Sequence, residues 1–293
     1  MAGDPRERLT LLNSAIEKKY GGLKPILDYV MGKRGFDFSG YHPAMLERRI
    51  GQRLSANACE DFSEYLSCLQ GEPSELDQLL DVITINVSRF FRDTLTFELI
   101  ADRILPAIIQ DKRQSKDHSL RLWSAGCARG EEPYSLAILI HELILKEELS
   151  LNLHIFATDI DGGTLADAGK AIYPLSSIEN MKHRLLTKYF TQEGGSFRLI
   201  PEIKNLVTFS LYDMLDKKHS VPPESVFGNF DLVLCRNLLI YFNPEYQGTI
   251  FQKLHHSLAR KGYLILGEAE TPTMTYQRHF SRVIDFSPIY RKS

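Results

Sequence analysis

The amino-acid sequence predicts an α/β protein: a doubly wound, Rossmann-like sheet behind a small all-helical N-terminal domain, with a small β-hairpin subdomain inserted. Three observations predict it. Residues 120–145, LRLWSAGCARGEEPYSLAILIHELIL, pass from an apolar strand through a small-residue turn into an apolar helix. Beyond them, strand-like runs alternate with helical ones, the pattern of a mostly parallel sheet. Ahead of them, residues 5 to about 85 show helical periodicity broken at Gly21-Gly22, at Gly32 to Gly40 and at Gly71-Glu72-Pro73, with little that reads as strand. These patterns divide the chain into a helical domain over 1–74, a linker over 75–90 and a sheet domain over 91–293, with a β insertion at about 173–203.

Composition bounds the function before any motif does. The 293 residues carry 35 Lys and Arg against 37 Asp and Glu, so no global charge calls for nucleic acid or a membrane surface. No apolar run approaches the ~20 residues that cross a bilayer, and MAGDPRERLT has no apolar leader core, so a cytoplasmic protein is expected. Cys59, Cys68, Cys127 and Cys235 form no C-x-x-C pair and read as free thiols in a reducing compartment. His255-His256 reads as surface, and no metal site is expected.

Taken in order, the helical domain contains a helix opened by Pro43, with Leu46, Ile50 and Leu54 as its apolar stripe. Arg49 and Arg53 stand one turn apart beside that stripe and Arg48 stands behind, giving either a solvated face or a dock for an acidic partner. Asp93 to Ile109 follows as a helix. In the turn after the first strand, Gly126 and Gly130 allow backbone conformations that a Cβ would hinder, and Pro133 suits a first helical turn. Unpaired N–H groups at such a helix start can cradle a ligand. Glu131 and Glu132 at that mouth repel a pyrophosphate; they either receive a cationic ligand or only complement the helix dipole. Asn152 to Thr158 is the second strand, with Asp159 at its end, where an acid can accept hydrogen bonds from ribose hydroxyls. Leu165 to Ala171 is a helix, and KYFTQEGGSFRLI is a hairpin around Gly194-Gly195. Leu206 to Leu211 is a third strand, followed by Asp213. Phe230 to Cys235 is a fourth, buried on both faces, leading into Arg236, Asn237 and LLIYF. Pro244 to Ala259 is a helix, Gly262 to Gly267 a fifth strand, and Ser281 to Arg291 a closing antiparallel pair.

In an open α/β sheet, ligands bind at the carboxyl ends of the strands, so the turn from Gly126 to Glu132, Asp159, Asp213 and Cys235 to Asn237 should converge. Acids at three of these positions suit a ligand with a ribose and a cation better than one with several phosphates. S-adenosylmethionine has a ribose, an ammonium and a sulfonium. G-x-G-x-x-G is absent, and the interval from Gly130 to Asp159 exceeds the ~20 residues of the dinucleotide fingerprint, against a nicotinamide-dependent oxidoreductase.

Four ordered motifs, ITINVSRFFRD, WSAGCARGEEPYS, FATDID and FDLVLCRNLLIYF, resemble the CheR-type chemotaxis receptor methyltransferases, and the match spans nearly the whole chain. That family transfers methyl groups from S-adenosylmethionine to glutamate side chains of chemoreceptors, leaving S-adenosylhomocysteine. The resemblance implies that Asn86, Ser88 and Arg92 reach over the cofactor from the linker. It implies Ala125 and Gly126 in the cradle, Glu132 on the methionine amino end, Asp159 on the ribose and Asp213 with Met214 beside the adenine. Cys235, Arg236 and Asn237 would line the floor. Tyr241 would stand with Arg92 beside the transferred methyl, the two orienting the incoming carboxylate; Arg92 holding the cofactor's own carboxylate, and Tyr241 as packed core, are the other readings. Arg48, Arg49 and Arg53 would meet the receptor's cytoplasmic helices. A monomer is expected, with no nucleic acid and no membrane insertion. The chain departs from the family pattern at Asp213, where Asn is usual, and at Gly267-Glu268-Ala269-Glu270, where Gly-His-Ser-Glu is usual. Its 189–199 hairpin is short, which leaves the binding of a receptor tether open. A docking module that holds the cofactor without turnover is the alternative function.

Overall fold

The computed structural model describes residues 21–84 and 88–293; the expected helical stretch before residue 21 and Asn86 lie outside the described residues. Contacts divide the chain into two units, one holding the N-terminal helices together with Tyr241–Asn243, the other holding the sheet.

In the helical unit, Lys24–Arg34, Pro43–Ala56, Phe62–Gly71 and Pro73–Thr84 are helices. Asp61 begins the third by accepting from the N–H groups of Ser63 and Glu64, both at 2.9 Å. Leu46 and Ile50 are buried with Tyr65, Leu69, Leu76, Leu79 and Ile83, so the apolar stripes face one core. The expected linker over 75–90 is corrected here: the helix continues to Thr84 because Leu76, Leu79, Leu80 and Ile83 recur at helical spacing and all are buried. Tyr41 pairs with Phe242 as an isolated bridge, and Asn243 Nδ2 donates to the Tyr41 carbonyl at 2.8 Å.

The sheet unit is built on seven strands: β1 Ser119–Ala125, β2 Asn152–Asp159, β6 Val207–Leu211, β7 Phe230–Cys235, β8 Leu258–Leu266, β9 Phe280–Arg282 and β10 Ile289–Lys292, in the order β6-β2-β1-β7-β8-β10-β9. The first five run parallel, and β10 is antiparallel to both β8 and β9. Leu122 is level with Ile155 on one side and Leu232 on the other, and all three are buried. The chain steps outward from β1 to β2 to β6 and then returns to β7 on the far side of β1, so its winding reverses beside β1 and opens a crevice at the carboxyl ends. Helix Glu131–Glu147 buries Leu136 and Ile140 in the core that contains Leu120, Leu234 and Ile265. A separate three-stranded sheet, β3 Ile172–Pro174, β5 Ser196–Leu199 and β4 Phe190–Glu193, forms the insertion.

The helix expected over 93–109 runs further. Thr94–Leu99 passes through a π-helical turn, Ile100–Ile104, into Leu105–Ser115. Pro106 explains the turn: it has no N–H to continue the α-helical ladder, and the wider turn accommodates its ring. The polar residues after Ile109 are the solvent face of the last turns. β8 begins at Leu258, earlier than Gly262, and correspondingly the preceding helix stops at Ser257.

Candidate active site

The turn after β1 is held by backbone bonds to the end of β2: the N–H groups of Gly126 and Cys127 both donate to the Thr158 carbonyl, at 2.8 and 3.0 Å. Gly126 has φ +74°, and a Cβ there would stand 3.0 Å from Leu238 Cδ2. Gly130 has φ +89°, and a Cβ would meet Phe209, Tyr134 and Ala168 within 3.2 Å. Glycine is therefore favoured by the positive φ at both positions, and a Cβ there would be tight against these side chains. The turn brings Ala125 and Gly126 at the end of β1 beside Asp159 at the end of β2.

The two acids at the helix mouth separate in role. Glu131, 2% exposed, points inward: Ser177 Oγ donates to its Oε1 at 3.3 Å, and Ser135 Oγ donates to its carbonyl at 2.6 Å. Burial pushes its carboxyl up, and the hydroxyl of Ser88 is among the groups that oppose the shift. Phe91 N–H donates to Ser135 Oγ at 3.0 Å and Phe90 N–H to the Ser177 carbonyl at 2.8 Å, so residues 88–93 lie over the start of this helix. Glu132 is bonded on both oxygens. Ser124 Oγ donates to its Oε1 at 2.8 Å and Arg236 Nη1 to its Oε2 at 3.0 Å, although burial still raises its carboxyl.

Arg236 joins the separate segments. It is 6% exposed, and its Nη2 donates to the Arg92 carbonyl at 2.9 Å and to Asp93 Oδ2 at 2.7 Å, while its guanidinium lies 5.3 Å from the centre of the Phe97 ring. Asp93, φ +59°, was not anticipated as a site residue, although it closes the ITINVSRFFRD run. Arg92 is half-buried, and its own carbonyl is what Arg236 grips.

Asp159 accepts from the N–H groups of Ala128 and Asp161, one on each oxygen, at 2.8 and 3.1 Å. Each oxygen retains a lone pair for a further donor. Burial pushes its carboxyl up. Asp213 is half-buried and accepts from Leu215 N–H at 2.7 Å; Met214 beside it is buried. Lys253, invisible as a site residue in the sequence, reaches the Asp213 carbonyl at 3.5 Å and the Tyr212 hydroxyl at 3.1 Å, and burial lowers its ammonium.

Cys235 is fully buried, and burial with Glu270 and Glu132 nearby holds its thiol well above its usual range, which makes it a wall and not a nucleophile. Asn237 has φ +55°, and its N–H donates to Glu270 Oε2 at 2.9 Å. Tyr241 ends the 3-10 turn Leu239–Tyr241, and its carbonyl accepts from His42 N–H at 2.9 Å within the helical unit. In that unit, Arg48 is exposed and Arg49 half-buried. Arg53 corrects an expectation: it is committed to Glu75, 2% exposed, through Nε at 2.9 Å and through Nη2, with Gln78 Oε1 at 2.8 Å and the Tyr65 hydroxyl on the same carboxylate at 2.6 Å. Its place beside the apolar stripe turns it inward.

A reversing parallel sheet with a glycine turn at β1 and an acid ending β2 defines a Rossmann-like nucleoside-binding protein. Residues 86–285 match the family described as CheR methyltransferase, SAM binding domain, and residues 22–84 match the CheR methyltransferase all-alpha domain. The chain belongs to the CheR methyltransferase family, and it is an S-adenosylmethionine-dependent methyltransferase of the chemotaxis type. It is 30% identical over 252 residues to a chemotaxis protein methyltransferase of Borreliella burgdorferi, covering 85% of this chain and 87% of that one. It is 31% identical over 236 residues to one of Listeria innocua, covering 80% and 84%. It is 31% identical over 258 residues to an uncharacterized 104.1 kDa protein of Rhodobacter capsulatus, of which it spans 26%. A magnesium protoporphyrin IX methyltransferase of Synechocystis with bound SAM aligns with a TM-score of 0.34 at 18% identity, covering 66% of this chain and 79% of that one.

The residues fit S-adenosylmethionine. Gly126 and Gly130 hold the turn in left-handed conformations, Asp159 keeps acceptor capacity, and Arg236 Nε is buried without a partner among the described residues. No helix among the described residues is long and apolar enough to cross a membrane.

Proposed function

We propose that this protein transfers the methyl group of S-adenosylmethionine to glutamate side-chain carboxylates on the cytoplasmic helices of chemoreceptors, giving methyl esters and S-adenosylhomocysteine. Neutralising such a carboxylate shifts a charge-sensitive signalling equilibrium. The observation that carries the reading is the match to named chemotaxis protein methyltransferases over most of both chains, as with the 85% and 87% for Borreliella burgdorferi. The proposed place of action is the cytoplasm.

The cofactor supplies a methyl group bound to a sulfonium; the rest falls to the chain. A glutamate side chain, with a reference pKa near ~4.3, is already an anion at neutral pH, so no residue is needed as a general base. Its oxygen would displace at the methyl carbon, the electron pair of the broken bond remaining on the sulfur of the departing S-adenosylhomocysteine. Placing the oxygen in line is worth up to ~7–11 kcal/mol in favourable intramolecular cases. We assign that placement to Arg92 and Tyr241. Asp159 would hold the ribose hydroxyls, Asp213 and Met214 the adenine, and Glu132 with Arg236 the amino-acid end; Asn86 and Ser88 would cover it, with Ala125, Gly126, Cys235 and Asn237 as walls. The helical domain, through Arg48 and Arg49, would meet the acidic receptor surface.

The test is incubation with labelled S-adenosylmethionine and receptor cytoplasmic fragments. Label on the receptor that mild base releases, and that Arg92→Ala abolishes, is expected. Base-stable label, or full transfer by Arg92→Ala, would overturn the proposal.

A further inference from the structure

We propose that Lys253 is a positioning residue for the nucleoside half of S-adenosylmethionine, holding the loop from Tyr212 to His219 in the shape that receives adenine. The inference rests on the assignment of Asp213 and Met214 to the adenine and adds the group that sets them in place. Lys253 stands on helix Pro244–Ser257 and is 6% exposed. A lysine is seldom buried unless its ammonium has partners, because burial strips it of water. Here Nζ donates to the Tyr212 hydroxyl at 3.1 Å and to the Asp213 carbonyl at 3.5 Å, and it lies 4.9 Å from the centre of the Tyr212 ring. The Tyr212 hydroxyl in turn donates to the His219 carbonyl at 2.8 Å. One ammonium thus fastens the start of the loop directly and its end through Tyr212.

The same loop is joined to the residue assigned to the ribose. Asp159 is level with Leu211 where β2 pairs with β6, and Tyr212 N–H donates to the Asp159 carbonyl at 2.9 Å. Tyr212 therefore links Lys253, through its hydroxyl, to Asp159, through its backbone. Within the loop, Asp213 accepts from Leu215 N–H at 2.7 Å and Asp216 from Lys218 N–H at 2.8 Å. Those bonds shape local turns, whereas Lys253 ties the turns to a helix of the sheet unit. An apolar side chain at 253 would fill much of the same space but would leave the Tyr212 hydroxyl and the Asp213 carbonyl without that donor.

Calorimetric titration of the full chain with S-adenosylhomocysteine and with methylthioadenosine, which lacks the amino-acid end, reads the nucleoside half and needs no receptor. At a temperature where all the proteins are folded, Lys253→Met should weaken both ligands about tenfold and by the same factor. Tyr212→Phe, which keeps the ring and removes the gripped hydroxyl, should weaken both about threefold. Because the two residues act through one contact, the double variant should bind no more weakly than Lys253→Met alone. Should Lys253→Met fail to fold, Tyr212→Phe decides alone. Parent affinity in either single variant, a further loss in the double variant, or a loss for S-adenosylhomocysteine with methylthioadenosine unchanged would overturn the inference. Failure of the parent itself to bind either ligand would overturn the adenine assignment beneath it, a result distinct from equal affinities.

Discussion

Asn237 and Glu270 are separated by 33 residues, yet the Asn237 N–H donates to Glu270 Oε2 at 2.9 Å. The same carboxylate, 4% exposed, accepts from Gly267 N–H at 2.7 Å, Leu239 N–H at 2.7 Å and Ile240 N–H at 3.4 Å. Glu270 thereby fixes the loop after β7 to the end of β8. The chain keeps the glutamate of the usual Gly-His-Ser-Glu run, which is the residue of that run with this role here.

Glu270→Gln should loosen that loop. The amide would turn an NH2 group toward backbone N–H donors that now share a carboxylate, at a cost of about 1–3 kcal/mol. Gly267→Ala should act on the same loop, because its Cβ would stand 2.7 Å from Glu270 Oε2 and 2.8 Å from the Asn237 nitrogen. Denaturant midpoints and calorimetric titration with S-adenosylmethionine should both fall; unchanged affinity in both variants would show that the loop does not support the crevice.

Arg236→Ala should destabilise the sheet unit by about 3–5 kcal/mol, because it leaves Glu132 and Asp93 without their shared cation. Arg236→Lys should recover only part, since an ammonium cannot reproduce the fork that spans two carboxylates and the Arg92 carbonyl. Urea melts of the two variants against the parent check this; equal midpoints would refute it.

Acid should weaken the joint between helix Glu131–Glu147 and helix His183–Tyr189. Against burial, which acts upward, hydrogen bonds from Lys188, Tyr189 and Arg184 hold the Glu142 carboxyl down at about 2. Its folded value lies below its unfolded one, so this stabilisation is present above about pH 4.5 and is lost as pH falls towards 2. It amounts to at most about 3 kcal/mol, and less after screening, because Arg184 and Lys188 are largely exposed. Stability measured from pH 6 to pH 3 should decline less steeply in Glu142→Gln; an identical slope would contradict the assignment.

Arg53 and Arg48 should behave differently despite their nearness in sequence. Arg53→Ala strips Glu75 of its ion pair and should cost about 3–5 kcal/mol. Exposed Arg48→Ala should change stability by less than about 0.5 kcal/mol while lowering the rate of receptor methylation. Thermal melts paired with transfer rates separate the two; receptor methylation unchanged in Arg48→Ala would remove it from the docking face.

Periodicity made the sheet legible: FDLVLC is apolar but for Asp231, as suits a strand buried at every position, and its bounds, Phe230–Cys235, match the reading. The helix over 73–84 is equally periodic in Leu76, Leu79, Leu80 and Ile83, yet the sequence reading places a linker from residue 75. Pairings at long range were not legible. Nothing local distinguishes Glu131, folded under Ser177, from Glu132, joined to Arg236 across 104 residues. Arg53 likewise shows its inward turn only once Glu75 is placed beside it.

We propose that the carboxyl ends of the parallel strands form one crevice for S-adenosylmethionine, with Asp159 as its ribose acceptor. Calorimetric titration of the full chain and of Asp159→Ala with S-adenosylmethionine decides this. Saturable binding by the parent and at least a tenfold weaker affinity in the variant, measured at a temperature where both are folded, is the predicted result; equal affinity in the two proteins would contradict it.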